Sequence, residues 1–294
     1  MDKNEESYSI GLVTYVNRYY AFLKPTINSL IKNFPDKQII CVINGHPNKT
    51  KHIKYLREIT NFLSNFSNIK YITWEDHQSL AKCWNWIVLM SSNSKILILN
   101  DDLLIKSDFR QSFKSRLNEK KDFFAINGSW SHFLVNKSLI KKVGWFDERF
   151  RGIGYEDGDY LLRMAQTGIK PVSLRCSGIE NLVVPQDLDA SYSQISSSEI
   201  INKYADVNYK FMGEKWHFNH IHGENGLFDI SCEWNNEILK ASLKKGMETP
   251  IFYEYSLLEN FDMDFAPAKI KVEKKYLKKM TRKVIQILKN YVKF

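Results

Sequence analysis

"KILILNDDLLI", residues 95–105, decides the fold. The run Ile96–Leu99 is the most apolar strand signal in the chain, and Asn100, Asp101 and Asp102 close it, so a buried rod delivers two carboxylates to one point. Working outward, the same texture alternates with helical spacing. "YSIGLVTYV" (8–16) reads as a buried strand, and "NRYYAFLKPTINSLIKNF" (17–34) as a helix through Phe22, Ile27, Leu30, Ile31 and Phe34. "KQIICVINGHP" (37–47) is a second strand ending in a loop, followed by a helix in "KTKHIKYLREITNFLSNF" (49–66). "IKYITW" (69–74) is a third strand and "SLAKCWNWIVLMSS" (79–92) a third helix, which brings the chain to residue 95. Strands alternating with helices require parallel pairing through right-handed crossovers, hence an α/β sheet covered on both faces. Ligands of such sheets sit beyond the carboxyl ends of the strands, where "TYVNR", "NGHP" and "NDD" all fall.

Composition narrows the class. A chain of 294 residues, 44% hydrophobic and 14% aromatic, can bury a core of one large or two ordinary domains, which excludes global disorder. Cys41, Cys83, Cys176 and Cys232 are scattered, against both a disulfide framework and a zinc knuckle. The start, "MDKNEESYSI", has acids where a signal peptide needs bases, and no apolar run approaches the roughly 20 residues that span a bilayer, so a cytoplasmic protein is expected. The net charge of +9 is local: residues 268–294 hold nine Lys, Arg282 and one Glu, and the remainder is balanced. A nucleic-acid binder would spread its charge over a folded face, so no nucleic-acid partner is expected of the main body.

A second acidic group lies in "GWFDERFRGIGYEDGDYLLR", residues 144–163. Helical spacing from Tyr160 stops at Gly168, with Pro171 soon after. Glu156, Asp157 and Asp159 open this helix, where its dipole favours negative charge and can hold an ionised carboxylate ready as a base. Arg163 lies one turn beyond Asp159, so an ion pair between them spares Asp157 for chemistry. The plainer alternative is a helix cap with ion pairs to Arg149 and Arg151, which accounts poorly for three acids crowded by glycines and aromatics. At the strand end, two adjacent acids want a hard cation, Mg²⁺ or Mn²⁺, able to bridge the phosphates of a nucleotide diphosphate; the bland alternative is a polar turn.

Residues 144–163 resemble the acceptor-site segment of nucleotide-sugar glycosyltransferases of the GT-A fold, of the family 2 type and of the carboxy-terminal half of the galactosyltransferase family 7 type. "NDD" resembles their metal-binding DXD motif, with Asn100 in place of the first acid. "TYVNR" and "SLAKCWN" resemble the nucleotide-binding loop and the helix bordering the donor. The likeness covers about residues 8–187. It implies a Rossmann-like, mixed but mainly parallel sheet sandwiched by helices over residues 1–198. A mostly helical extension packed on the core (199–267) and a basic amphipathic helix (268–294) are expected to follow.

By the same resemblance, Asp102 would ligate the metal and Asp101 and Asn100 would contact the donor. Asp157 would be the general base, and Glu156 would hold the acceptor or transferred sugar. Thr14, Tyr15, Arg18 and Asn44 would line the nucleotide site, and Lys82 and Asn85 would approach the diphosphate or sugar. A His ligand that the family often places some thirty residues beyond the Glu-Asp pair is missing; His217, His220 or His222 of "WHFNHIH" are its candidate replacements. Such a site suits direct displacement at the anomeric carbon with inversion of configuration. Trp130 and Tyr155 are candidate acceptor platforms, since sugar C–H faces stack on aromatic rings, and Trp145 reads as core.

The tail places Leu277, Met280, Val284, Ile287, Leu288 and Tyr291 on one stripe opposite its lysines, a pattern suited to an anionic membrane surface or to a helix packed on the protein. The expected reaction is therefore transfer of a sugar, from a UDP-sugar, to a saccharide or lipid-linked glycan, as in polysaccharide biosynthesis, by a protein peripheral on the cytoplasmic membrane face. A nucleotidyltransferase making nucleotide sugars would want a Gly-rich phosphate loop, which "TYVNRYY" lacks. A non-catalytic binder of membranes or nucleic acid is the other alternative.

Overall fold

The computed structural model describes residues 7–15, 18–45, 49–117, 119, 121–182, 197–217 and 241–249. Four strands run parallel in the order β3-β2-β1-β4: β1 (Tyr8–Tyr15), β2 (Ile39–Asn44), β3 (Ile69–Thr73) and β4 (Lys95–Asn100). The aliphatic runs of β1, β2 and β4 are buried on both faces, as a helix-covered parallel sheet demands, and the edge strand β3 is largely exposed. Beyond β4 the direction reverses. A long strand β7 (Ser129–Asn136) pairs antiparallel with β4 and with β6 (Phe123–Ile126), and β8 (Ser173–Leu174) closes a seven-stranded mixed sheet.

The strand expected in "KILILNDDLLI" is interrupted at its acids, as the sequence reads. After Asn100 the chain bends, and β5 (Leu103–Ile105) leaves the sheet to pair with β9 (Ile179–Asn181). The bend is held by Thr26, whose Oγ1 donates to the Asp101 carbonyl at 2.7 Å and accepts the Leu103 N–H at 3.1 Å. The first helix also starts late: a π-helical turn, Tyr19–Leu23, precedes α1 (Lys24–Asn33). Pro25, which has no N–H to give, sits in the first turn of α1, where none is needed.

Two cores flank the sheet. On one face α1, α2 (Lys49–Leu63) and α4 (Ser107–Leu117) bury Leu23, Ile27, Phe34, Ile59, Phe109 and Phe113. On the other, α3 (Leu80–Met90), α5 (Lys137–Val143), α6 (Glu156–Gln166) and α7 (Ser197–Lys215) contribute Trp84, Ile87, Ile140, Tyr160, Leu161 and Met212. Trp216 of the short hairpin β10 (Trp216–His217) and β11 (Ser242–Leu243) belongs to this second core. Residue 198, where a boundary is expected, lies in the first turn of α7, whose Met212 joins this second core. The basic segment 268–294, with His220 and His222, lies outside the described residues. Among the described residues no helix is long and apolar enough to cross a membrane.

Candidate active site

The two acids that follow β4 diverge at the bend. Asp101 is turned inward, its side chain 5% exposed, whereas that of Asp102 is 28% exposed and faces a cleft. Thr14 donates from Oγ1 to Asp101 Oδ2 at 2.6 Å, and Arg18 donates from Nε to Asp101 Oδ1 at 2.7 Å. The other end of the same guanidinium, Nη2, reaches Asp102 Oδ2 at 2.6 Å. Phe22 supports it from the side, its ring centroid 4.3 Å from the guanidinium carbon. Burial pushes Asp101 above the usual carboxylate range, against the pull of Arg18. Burial also opposes the charge on Arg18, but Asp101, Tyr15 and Asp102 outweigh it and hold the guanidinium protonated.

The second acidic group enters from the opposite wall. Gly152, Gly154 and Tyr155 have φ of +57°, +117° and +73°, and this left-handed turn swings the start of α6 toward the strand ends. Glu156 is 3% exposed and accepts the Gly154 N–H at 2.7 Å; Asp157 accepts the Gly158 N–H at 2.8 Å. Burial, with the charge of Asp157 beside it, raises Glu156 to about 8, and burial raises Asp157 as well. The helix dipole, expected from the sequence to keep these acids ionised, is thus outweighed by desolvation. The pair retains a proton near neutral pH.

Asp159 has a different task. Fully buried, it accepts from Arg163 Nε at 2.9 Å and Trp216 Nε1 at 2.9 Å, and pairs with Lys215 Nζ at 2.5 Å. Lys215 also holds Asp147 at 2.6 Å, and Asp147 is bound in turn by Arg149 at 2.7 Å. Burial would raise Asp147, but Lys215 and Arg149 hold it well below the ordinary carboxylate range. Three acids within four positions are therefore divided, two to the cleft and one to a buried ionic knot.

A cavity of about 440 Å³ lies between the two groups, at the carboxyl ends of β1, β2 and β4. Tyr15, Arg18, Asn44, Asn100, Asp101, Asp102, Trp130, Glu156 and Asp157 all line it. Asn44 is committed to the wall: its Oδ1 accepts from Gly45 and Gln78 N–H at 2.9 and 2.8 Å, and its Nδ2 donates to the Gln78 carbonyl at 3.0 Å. Gly45 admits this approach, since a Cβ there would stand 2.1 Å from a backbone atom of Asp76. Trp130 is 9% exposed and packed on Phe123 and Phe133 at 4.9 and 5.4 Å, so it is a wall rather than a free platform.

Other expected site residues are placed elsewhere. Thr14 is buried beneath Asp101 and acts through it. Lys82 turns over the Trp74 ring at 4.5 Å and to Gln78 Oε1 at 3.1 Å, away from the cavity. Asn85 is sealed in the core, binding the Phe146 carbonyl and N–H at 2.9 and 3.0 Å. Tyr155 packs toward Tyr209 of α7, with ring centroids 6.3 Å apart, and does not line the cavity. His217 ends β10, exposed and outside the cavity. Sequence reasoning missed His77, Ser129 and Ser131 on the cavity wall, and His132, buried with its Nδ1 unpartnered and within electrostatic reach of Asp102. Residues 127–132, "NGSWSH", a turn and the start of β7, hold three of these four.

For a divalent cation the fit is partial and specific. Among the described residues no three His, Cys, Asp or Glu side chains converge to hold a metal. Asp102 nevertheless presents a carboxylate to the cavity, and among the described residues only its Oδ2 is engaged, by Arg18. One carboxylate completed by phosphate oxygens and water suits Mg²⁺ or Mn²⁺, which seldom need an all-protein cage.

A mixed sheet of this order, with acids at the exit of β4 and at the head of α6 facing one cleft, has the architecture of the GT-A fold. Residues 36–180 match the family model described as "Glycosyltransferase like family 2". The crystal structure of GalNAc-T7 with UDP, GalNAc and Mn²⁺ superposes with a TM-score of 0.51 at 14% identity, covering 72% of this chain and 51% of that one. That of S. aureus TarS 1-349 in complex with UDP gives 0.42 at 14% identity, covering 58% and 61%. The chain thus spans less than two thirds of either neighbour. No curated protein sequence matches it.

Proposed function

We propose that the chain transfers a sugar from a nucleotide-diphosphate sugar, a UDP-sugar, to a hydroxyl of a saccharide or lipid-linked acceptor, with inversion at the anomeric carbon. The observation that carries this reading is the opposition of Asp102 and Arg18 to Glu156 and Asp157 across one cavity. On the strand side, Arg18 and Tyr15 meet the nucleotide diphosphate, and Asp102 holds Mg²⁺ or Mn²⁺. When bound, that cation would neutralise charge on the departing diphosphate.

On the helix side, Asp157 accepts the proton of the incoming hydroxyl. Glu156, its carboxyl kept largely protonated by burial, donates a hydrogen bond to the acceptor or the transferred sugar. One carboxylate acting as base on the face opposite the leaving group suits a single displacement, hence inversion. Trp130 bounds the sugar pocket. The basic, amphipathic sequence of residues 268–294 supports a membrane-surface location and so a lipid-linked or envelope acceptor.

Mn²⁺-dependent release of UDP from a panel of UDP-sugars, with and without saccharide acceptors, tests the reading. Asp157→Asn is expected to lower turnover by on the order of 10²–10⁴ while UDP binding stays unchanged. Wild-type turnover in that variant would remove Asp157 as the base, and failure of every nucleotide sugar to bind or react would remove the reading itself.

A further inference from the structure

The turn that aims Glu156 and Asp157 is held from α7, a helix more than fifty residues away in sequence. Asn208 is completely buried there. Its Nδ2 donates to the carbonyls of Arg151 at 2.8 Å and Gly154 at 2.9 Å, and its Oδ1 accepts the Arg151 N–H at 2.8 Å. One carboxamide thus closes three hydrogen bonds on the backbone of residues 151–154. From the opposite side, the Leu80 N–H of α3 donates to the Gly152 carbonyl at 2.7 Å.

The segment between these two arms is one that an L-polypeptide resists. Tyr155 has φ +73°, which its β-carbon penalises, and such conformations persist where the surroundings over-determine them. The Gly154 N–H within the same turn is the donor to Glu156 Oε2, so the bracketed turn also fixes the carboxyl group that follows it. The nucleotide side of the cleft does not depend on this bracket: Asp101, Asp102 and Arg18 are held by one another and by Thr14 and Thr26.

We propose that Asn208 is a positioning residue for the Glu156–Asp157 pair, which makes α7 part of the reaction centre rather than an appendage to it. The proposal rests on the reading of this cavity as the transfer site. A bracket confined to the acceptor side should separate turnover from nucleotide binding, because an acid displaced by about 1 Å costs on the order of 100-fold in rate whereas the diphosphate contacts stay in place.

The experiment uses the full chain and two variants, Asn208→Ala and Asn208→Asp; the aspartate keeps the shape and the acceptor for the Arg151 N–H but loses both donated bonds. Turnover number, UDP affinity by calorimetry and hydrogen exchange over residues 151–158 are measured for each. The expected result is a fall in kcat of on the order of 100-fold, UDP affinity within twofold of wild type, and lost amide protection confined to residues 151–158. A kcat within threefold of wild type in both variants overturns the proposal, as does a parallel loss of UDP affinity, which marks a collapse of the whole site. If the alanine variant fails to fold, the aspartate variant decides, and failure of both to fold overturns the proposal by making Asn208 a determinant of the fold. If the wild type itself transfers no sugar, the reading of the reaction fails instead, and unchanged exchange at residues 151–158 in Asn208→Ala would still refute the bracket.

Discussion

Replacing Lys215 by methionine should destabilise the fold less than replacing the carboxylate it binds, and the knot around it gives the reason. Lys215 is completely buried and reaches Asp147 at 2.6 Å, Asp159 at 2.5 Å and Thr249 Oγ1 at 2.9 Å. Arg149 and Arg163 complete the group. Removing one partner of a buried ion pair costs about 3–5 kcal/mol, mostly because the other charge is stranded. Lys215→Met strands neither carboxylate: Asp147 keeps Arg149, and Asp159 keeps Arg163 and the Trp216 N–H. Methionine also fills nearly the same volume, so little cavity cost is added. The loss should lie at or below the bottom of that range, about 2–3 kcal/mol.

Asp159→Asn preserves shape but takes from the buried Lys215 and Arg163 the carboxylate they share, so it belongs at the top, about 5 kcal/mol. Urea unfolding followed by fluorescence, with the slope checked for constancy, gives both values directly. Each kcal/mol corresponds to a melting shift of about 2–4 °C for a domain of this order of size, so the two variants should differ by several degrees. Equal losses, or a larger loss in Lys215→Met, would refute the charge-balance argument and leave Lys215 as the principal anchor of the knot.

Glu156 carries a sign that a pH series can read. Its pKa is raised in the folded state by burial, so the native protein holds a proton that the unfolded chain has released, and stability contributed below about pH 4.3 is lost as pH rises toward 8. Glu156→Gln should flatten that decline in urea midpoints between pH 5 and 8, and a slope as steep as wild type would assign the linkage to other groups. Asp147 has the opposite sign: held low by Lys215 and Arg149 against its burial, it contributes stability above about pH 4 that is lost as pH falls through its folded value, so Asp147→Asn should blunt acid unfolding. Arg18→Lys keeps the charge but cannot span both Asp101 and Asp102, which Arg18 joins at 2.7 and 2.6 Å. With a charged hydrogen bond worth about 1.5–3 kcal/mol, UDP affinity should fall roughly tenfold or more, and an unchanged dissociation constant in calorimetry would detach Arg18 from the diphosphate.

How much of this arrangement was legible depends on the range over which each contact acts. The β4 rod and the acids at its end could be read because burial on both faces leaves a run such as Ile96–Leu99, whereas the side each acid takes is set by the bend that Thr26 holds. The parting of Asp157 from Asp159 also follows from local geometry, since they stand about 200° apart around the helix, but Glu156, about 60° from Asp159, is parted from it by tertiary packing. The pairing of Asp159 with Arg163 was visible from local geometry too, at one turn's spacing.

Lys82 and Asn85 fail on this count. α3 is apolar nearly all round, so its pattern does not say which face meets the cleft, and the answer came from Phe146, which claims Asn85 from 61 residues away. The sign of the Glu156 shift was equally hidden, because the dipole is a property of the helix whereas desolvation depends on everything packed against its first turn. Asn208 and Lys215 leave no trace in spacing at all. A carboxamide in an ordinary helical stretch becomes a bracket only when tertiary packing brings residues 151–154 to it, which is why the motif quoted from residues 144–163 reads as self-sufficient in sequence and is held in place by a helix beyond it.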